Sequence, residues 1–164
     1  MGISVPTPLN ADHDTTSFSC GERTLDDWLK QTALKNQSTG ASRTFVTCEG
    51  NRVIGYYALA TGAVERTDSP GHIRRNMPDP IPVMVLGRLA VDTLYQSRSL
   101  GKGLLKDAIL RIITVAEHVG VRAILVHAIS DEAKQFYIKQ GFRESTTNDM
   151  TLMISLNEAI ESAR

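Results

Sequence analysis

Between residues 96 and 103 the chain reads QSRSLGKG, which sets Gly101 and Gly103 close together with Arg98 and Lys102 beside them. The apolar run VMVLGRLAV (83–91) precedes this stretch and the apolar-periodic run LLKDAILRIITVAEHV (104–119) follows it. The stretch is therefore expected to join a strand to a helix. At such a junction the N–H groups of the loop and of the first helical turn converge without intrahelical partners. That arrangement suits phosphate or pyrophosphate. The glycines would let an anion approach the backbone, and Arg98 and Lys102 would add positive charge. It is not a Walker A loop, because Lys102 is followed by Gly103, and it lacks the three glycines of a dinucleotide fingerprint. Read alone, it also fits an ordinary turn.

The elements that must hold this loop alternate along the chain. Thr24 is expected to cap a helix, with Asp27 in the capping-box position and Leu25, Trp28, Leu29 and Ala33 at helical spacing as far as about Gln37. RTFVTCE (43–49) and RVIGYYALATGAV (52–64), parted by Gly50 and Asn51, read as a hairpin. The stretch RTDSPGHIRRNMPDPIP (66–82) holds four prolines and no periodicity, so a long loop is expected, of a length that often carries function. RAILVHAI (122–129) reads as a buried strand. SDEAKQFYIKQG (130–141) reads as a helix capped by Ser130 and stopped by Gly141, and TLMISL (151–156) as a last strand. Strands surrounding two strand-helix units predict an α/β fold with a mixed sheet.

At 164 residues the chain is expected to form a single domain, 1–164. No apolar run approaches the roughly 18 residues of a membrane span, and MGISVPTPLNADHD has neither the basic nor the apolar region of a signal peptide. A cytoplasmic location and no membrane association are the expectation. Cys20 and Cys48 lie far apart with no clustered His, which predicts free thiols and no metal. The charges balance at 18 basic and 18 acidic, yet residues 66–111 carry eight basic side chains against four acidic ones. A basic face for a polyanion is best sought there.

The sequence Arg98-Ser99-Leu100-Gly101-Lys102-Gly103 resembles the Arg/Gln-x-x-Gly-x-Gly/Ala pyrophosphate motif of the GNAT family of N-acetyltransferases. AKQFYIKQGF, with its helical Phe-Tyr before Gly-Phe, is similar to that family's acetyl-CoA-binding C-terminal half. FSCGERTLDDWLKQTALKNQSTGASRTFV, GYYALATGAV and RRNMPDPIPVMVLGRLAVD resemble, within it, the acetyltransferase toxins of bacterial toxin-antitoxin modules, which acetylate aminoacyl-tRNA. One departure is Ser99, where many members carry Gly.

The resemblance implies a GNAT fold whose central sheet splays between VLGRLAV and AILVHAI to admit acetyl-CoA, with no metal. Backbone amides near Leu89, Ala90 and Val91 would hold the pantetheine arm and polarise the acetyl carbonyl. Arg98, Ser99, Leu100, Gly101, Lys102 and Gly103 would take the pyrophosphate. Tyr137 would also touch the cofactor and protonate the departing thiolate. The acceptor would be the α-amino group of aminoacyl-tRNA, which titrates at about 7.7–8.0 and so needs no dedicated base. Lys35, Arg74, Arg75 and Arg88 would meet tRNA phosphates. A ribbon-helix-helix antitoxin would restrain the toxin and bring it to operator DNA, and the toxin would be a homodimer. Two other readings stay open: an acetyltransferase for protein N-termini, polyamines or an antibiotic, and a non-catalytic acetyl-CoA-binding or corepressor module. Duller residue roles are open as well. Tyr137 could be a core aromatic, His127 reads as a satisfied interior histidine, Glu49, Asp92 and Asp107 as surface or capping groups, and Arg74 and Arg75 as solvated.

Overall fold

Leu25 and Leu29 stand one helical turn apart and are buried, which sets one face of the first helix, α1 (Arg23–Gln31), against its core. The computed structural model describes residues 2–163, so the ends of the expected 1–164 domain lie outside the described residues. The helix opens earlier than its sequence suggests. Glu22 occupies the cap, not Thr24, and Asp26 reaches back to accept from the Cys20 N–H at 2.9 Å. Nor does one helix run to Gln37. Thr32, at φ −122°, leaves the helical region, and a second helix, α2 (Ala33–Thr39), follows and stops at left-handed Gly40.

The other elements in chain order are β1 (Thr7–Pro8), β2 (Arg43–Glu49), β3 (Arg52–Val64), α3 (Gly71–Arg74), β4 (Ile81–Val91), α4 (Leu100–Ala116), β5 (Ala123–His127), α5 (Asp131–Lys139), β6 (Arg143–Glu144), β7 (Thr151–Ser155) and α6 (Leu156–Ala163). The strands form a seven-stranded sheet in the order β1-β2-β3-β4-β5-β7-β6, mixed because β4 and β5 run parallel while the β2–β3 and β5–β7 pairs run antiparallel. The expected hairpin is β2–β3, turning at Gly50 with φ +63°. Its register shifts between Thr47 and Cys48. Close packing at Gly55 accompanies this shift, since a Cβ there would stand 3.0 Å from Thr47 Cγ2 and 3.1 Å from Leu104 Cδ1.

Several boundaries differ from the sequence reading. Residues 66–82 are not a featureless loop: a 3-10 turn (Arg66–Asp68) and α3 lie within it, and Ile81 and Pro82 already belong to β4. Helix α4 starts at Leu100 instead of Leu104, because the glycines at 101 and 103, poor helix formers, are tolerated in a first turn. Short β1 and β6 and helix α6 had no periodicity long enough to be noticed. Helix α5 follows its signals, with Ser130 Oγ accepting from the Ala133 N–H at 3.1 Å and Gly141 at φ +99°.

The chain divides into two compact units, one made of the residues up to Ala60 with Gly87–Ala108, the other of Thr61–Leu86 with Ile109 onward. In the first, Leu9, Phe18, Leu25, Leu29, Val46, Val53 and Tyr56 form the core. In the second, Ile73, Ile81, Val83, Ala123, Leu125 and Met153 do so. Each Val, Leu, Ile, Phe or Met side chain among them contributes about 1.5–3 kcal/mol by leaving water. Among the described residues, no helix is long and apolar enough to cross a membrane.

Candidate active site

In the first unit the end of β4 leads into the glycine loop through a buried carboxylate. Asp92 is 2% exposed; it accepts from the Leu94 N–H at 3.0 Å and from the Ser19 N–H at 3.1 Å, and it faces the Arg52 guanidinium at 3.7 Å. It is a capping group, as its sequence position suggests, but an interior one. The 3-10 turn that it caps (Thr93–Tyr95) buries Tyr95, whose hydroxyl donates to Glu49 Oε1 at 2.8 Å. Over that ring lies the Arg98 guanidinium, 5.0 Å from the centroid. The Gln96 carboxamide donates to the Cys20 and Val91 carbonyls at 3.0 and 2.8 Å.

Ser97 and Ser99 have φ of +66° and +60°, the left-handed region that side chains rarely adopt. That conformation is a physical reason for glycine at the position of Ser99. The first described i to i−4 bond of α4 is from the Gly103 N–H to the Ser99 carbonyl at 3.1 Å. The N–H groups of Leu100, Gly101 and Lys102 fall in the turn where an α-helix leaves donors without intrahelical acceptors. A Cβ on Gly103 would meet nothing within 4 Å, and the Arg98 and Lys102 side chains are exposed. Open space, convergent donors and two cations fit a pyrophosphate. Replacing Ser99 by Gly is expected to stabilise the fold by roughly 0.5–1 kcal/mol through relief of the left-handed backbone, readable as a raised Tm.

The backbone expected to polarise an acetyl carbonyl lies in β4. The β4–β5 ladder is registered from Val83–Ala123 to Leu86–Val126, and β4 runs on past it through Leu89, Ala90 and Val91. Arg88 in the same strand is half-buried, its guanidinium 4.3 Å from the Trp28 ring centroid, and Trp28 in turn stacks on Tyr56 at 6.0 Å. Lys35 is exposed on α2.

The second unit carries the remaining candidates. Tyr137 on α5 is 6% exposed, with its ring edge-on to Phe136 at 5.2 Å and to Phe142 at 5.4 Å. Burial raises its pKa above the ordinary phenol value, so the group keeps its proton at neutral pH. Its hydroxyl has no hydrogen-bond partner among the described residues. Arg74 and Arg75 are exposed, but Arg74 is not merely solvated: Nη1 donates to the Ser69 carbonyl at 3.0 Å. His127 is a correction. It is exposed, not interior, and pairs with Thr151 Oγ1 at 3.0 Å. Asp107 accepts from the Tyr57 hydroxyl and Glu49 from Tyr95, so neither is simply a surface charge.

Sequence reasoning overlooked Arg52, Tyr95 and Gln96 as supports of the loop. The signal available was Asp92 directly after an apolar strand, a cap position that predicts buried donors next to it. Of the thiols, Cys48 is buried and Cys20 is half-buried, its pKa pushed up to about 12 by burial and by the neighbouring Asp26. Among the described residues, no group of three or more His, Cys, Asp or Glu could hold a metal ion.

Comparison with known proteins adds the following. A family model described as "Acetyltransferase (GNAT) domain" matches residues 40–144. A tRNA-acetylating toxin of Mycobacterium tuberculosis is 51% identical over 158 residues, 96% of this chain and 95% of that protein. A solved structure of AtaT complexed with acetyl-methionyl-tRNAfMet is 27% identical, covers 98% of each chain and superposes with a TM-score of 0.89. A structure of a tyrosine-to-phenylalanine mutant of the AtaT toxin, bound to the C-terminus of the antitoxin AtaR and to acetyl-CoA, is 25% identical over 97% of this chain and 96% of that one, with a TM-score of 0.84.

Proposed function

Because the chain belongs to the GNAT acetyltransferase family, we propose that it is a toxin that acts as one acetyltransferase domain. It moves the acetyl group of acetyl-CoA to the free α-amino group of aminoacyl-tRNA. The observation that carries this substrate is the 51% identity, across nearly the whole of both chains, to a tRNA-acetylating toxin. Charged tRNA whose amino group is blocked cannot accept a peptidyl group, so translation stops. A cytoplasmic location and a homodimer belong to the same proposal, as does a ribbon-helix-helix antitoxin that neutralises the toxin and carries it to operator DNA.

The pyrophosphate sits at the start of α4, against the first-turn N–H groups, Arg98 and Lys102. A backbone N–H of the Leu89, Ala90, Val91 stretch donates to the thioester carbonyl, where charge grows as the amine attacks. The α-amino nitrogen forms its bond to the acetyl carbon, and the bond from that carbon to sulfur breaks. Tyr137 gives its proton to the departing thiolate, while the surplus proton of the attacking amine leaves to water. Tyr137 then recovers a proton from solvent.

Lys35, Arg74, Arg75 and Arg88 hold tRNA phosphates. With about four such contacts, affinity for charged tRNA is expected to fall with salt at a log-log slope of about −3. Acetyl transfer to charged and deacylated tRNA, measured from about 50 to about 300 mM salt, on either side of the roughly 10 Å Debye length at 0.1 M, tests this. Transfer to charged tRNA alone, weakening steeply with salt, is the expected outcome. Equal labelling of deacylated tRNA would contradict it.

A further inference from the structure

The loop that carries Arg74 and Arg75 is held by a side chain that the mechanism does not use. The main chain of Arg122, just before β5, is fixed on both sides: its N–H donates to the Pro82 carbonyl at 2.9 Å and its carbonyl accepts from the Leu156 N–H at 3.0 Å. Its guanidinium turns to α3. Nε donates to the Ile73 carbonyl at 2.8 Å, and Nη2 donates to the His72 carbonyl at 3.1 Å and reaches the Arg75 carbonyl at 3.5 Å. These carbonyls lie at the C-terminal end of a helix, where they lack intrahelical partners and the backbone dipole is negative. A planar, permanently charged fork can serve several of them together; an ammonium cannot span the same set.

The rest of the loop is held by side chains of the same unit. The Asp68 carbonyl accepts from Ser145 Oγ at 2.7 Å, and Asp68 Oδ1 accepts from Thr147 Oγ1 at 2.6 Å. His72 Nε2 lies 2.8 Å from Glu158 Oε1, and Arg143 pairs with the other oxygen of Glu158 at 3.0 Å. Among the described residues, the Arg122 guanidinium reaches the His72, Ile73 and Arg75 carbonyls of the turn that bears both candidate phosphate ligands. We propose that Arg122 is the positioning residue that pre-forms the Arg74–Arg75 phosphate contact for tRNA. The inference rests on the tRNA reading and deepens it. A loop already ordered loses little freedom on binding, so the benefit falls on affinity for tRNA and not on the chemical step.

The test compares wild type, Arg122→Ala, Arg122→Lys and the double variant Arg74→Ala/Arg75→Ala, with charged tRNA and with acetyl-CoA. Arg122→Ala is expected to raise KM for charged tRNA by about tenfold and Arg122→Lys by about threefold, with kcat within about twofold and the Kd for acetyl-CoA unchanged. The double variant is expected to raise KM and to flatten the salt dependence by about two contacts. If Arg122→Ala does not fold, Arg122→Lys and amide exchange at Arg74–Met77 decide the matter, the amides being expected to exchange faster. An unchanged KM in the Arg122 variants, while the double variant raises it, would overturn the positioning role. So would a loss of kcat and acetyl-CoA affinity with no selective rise in KM. If the double variant behaves as wild type, the loop contacts no phosphate and the proposal falls, although tRNA acetylation by the wild type would stand. If the wild type labels no charged tRNA, the functional reading itself fails.

Discussion

Tyr137→Phe is expected to lower kcat for acetyl transfer by about 10²–10⁴-fold and to leave acetyl-CoA binding in place. The substitution removes one oxygen and keeps the ring that packs edge-on against Phe136 and Phe142. The hydroxyl makes no hydrogen bond among the described residues, so stability should change by less than about 1 kcal/mol. The contrast between a large kinetic and a small structural effect is what separates a proton donor from a core aromatic. Burial raises this phenol's pKa, so its proton is present throughout the neutral range and is lost only above the ordinary value of about 10. Deprotonation of Tyr137 should therefore cause no alkaline fall in kcat below that value. Single-turnover kinetics with a thermal melt on the same preparation read both effects, and a variant retaining more than about a tenth of wild-type kcat would assign Tyr137 to the core alone.

Asp92→Ala should have the largest structural effect of the substitutions considered. The carboxylate is 2% exposed, accepts two backbone N–H groups and lies beside Arg52. Its loss would leave part-buried donors and a half-buried cation without their acceptor. The expected cost is about 3 kcal/mol, at the lower end of the range for a broken buried pair because Arg52 is 34% exposed. The damage should also reach the loop. Leu94 belongs to the turn that places Tyr95 beneath Arg98, so acetyl-CoA affinity should fall together with Tm. Asp92→Asn, which keeps one acceptor, is expected to lie between the two. Urea melts and calorimetric acetyl-CoA titrations check this, and a change in Tm without one in Kd would uncouple Asp92 from the loop.

How much of this was legible in the sequence depended on how local each signal was. The β2–β3 hairpin, α5 and the order of the two strand-helix units rest on periodicity and on turn residues within a few positions, and they were read correctly. The QSRSLGKG loop was located, but its helix begins four residues earlier, at Leu100 instead of Leu104, since glycine suppresses the helical pattern that it nevertheless joins. The break at Thr32 was invisible because apolar spacing continues across it from Leu29 to Ala33. Long-range supports carried no local mark. Arg122 bonds to carbonyls nearly fifty positions away, and nothing around RAILVHAI distinguishes it from a surface arginine. His127 misled for a related reason: alternation gives a side, and it took the structure to give its exposure.

The most direct test of the central claim is the chemical identity of the product. Charged tRNA incubated with the protein and isotopically labelled acetyl-CoA would be digested with nuclease, and the released aminoacyl-adenosine analysed by mass spectrometry. One labelled acetyl group is expected, on the α-nitrogen of the esterified amino acid, formed at least about a hundredfold more slowly when Tyr137 is Phe. Label found on a nucleobase, on a polyamine or on a protein N-terminus, with the aminoacyl nitrogen unmodified, would contradict it.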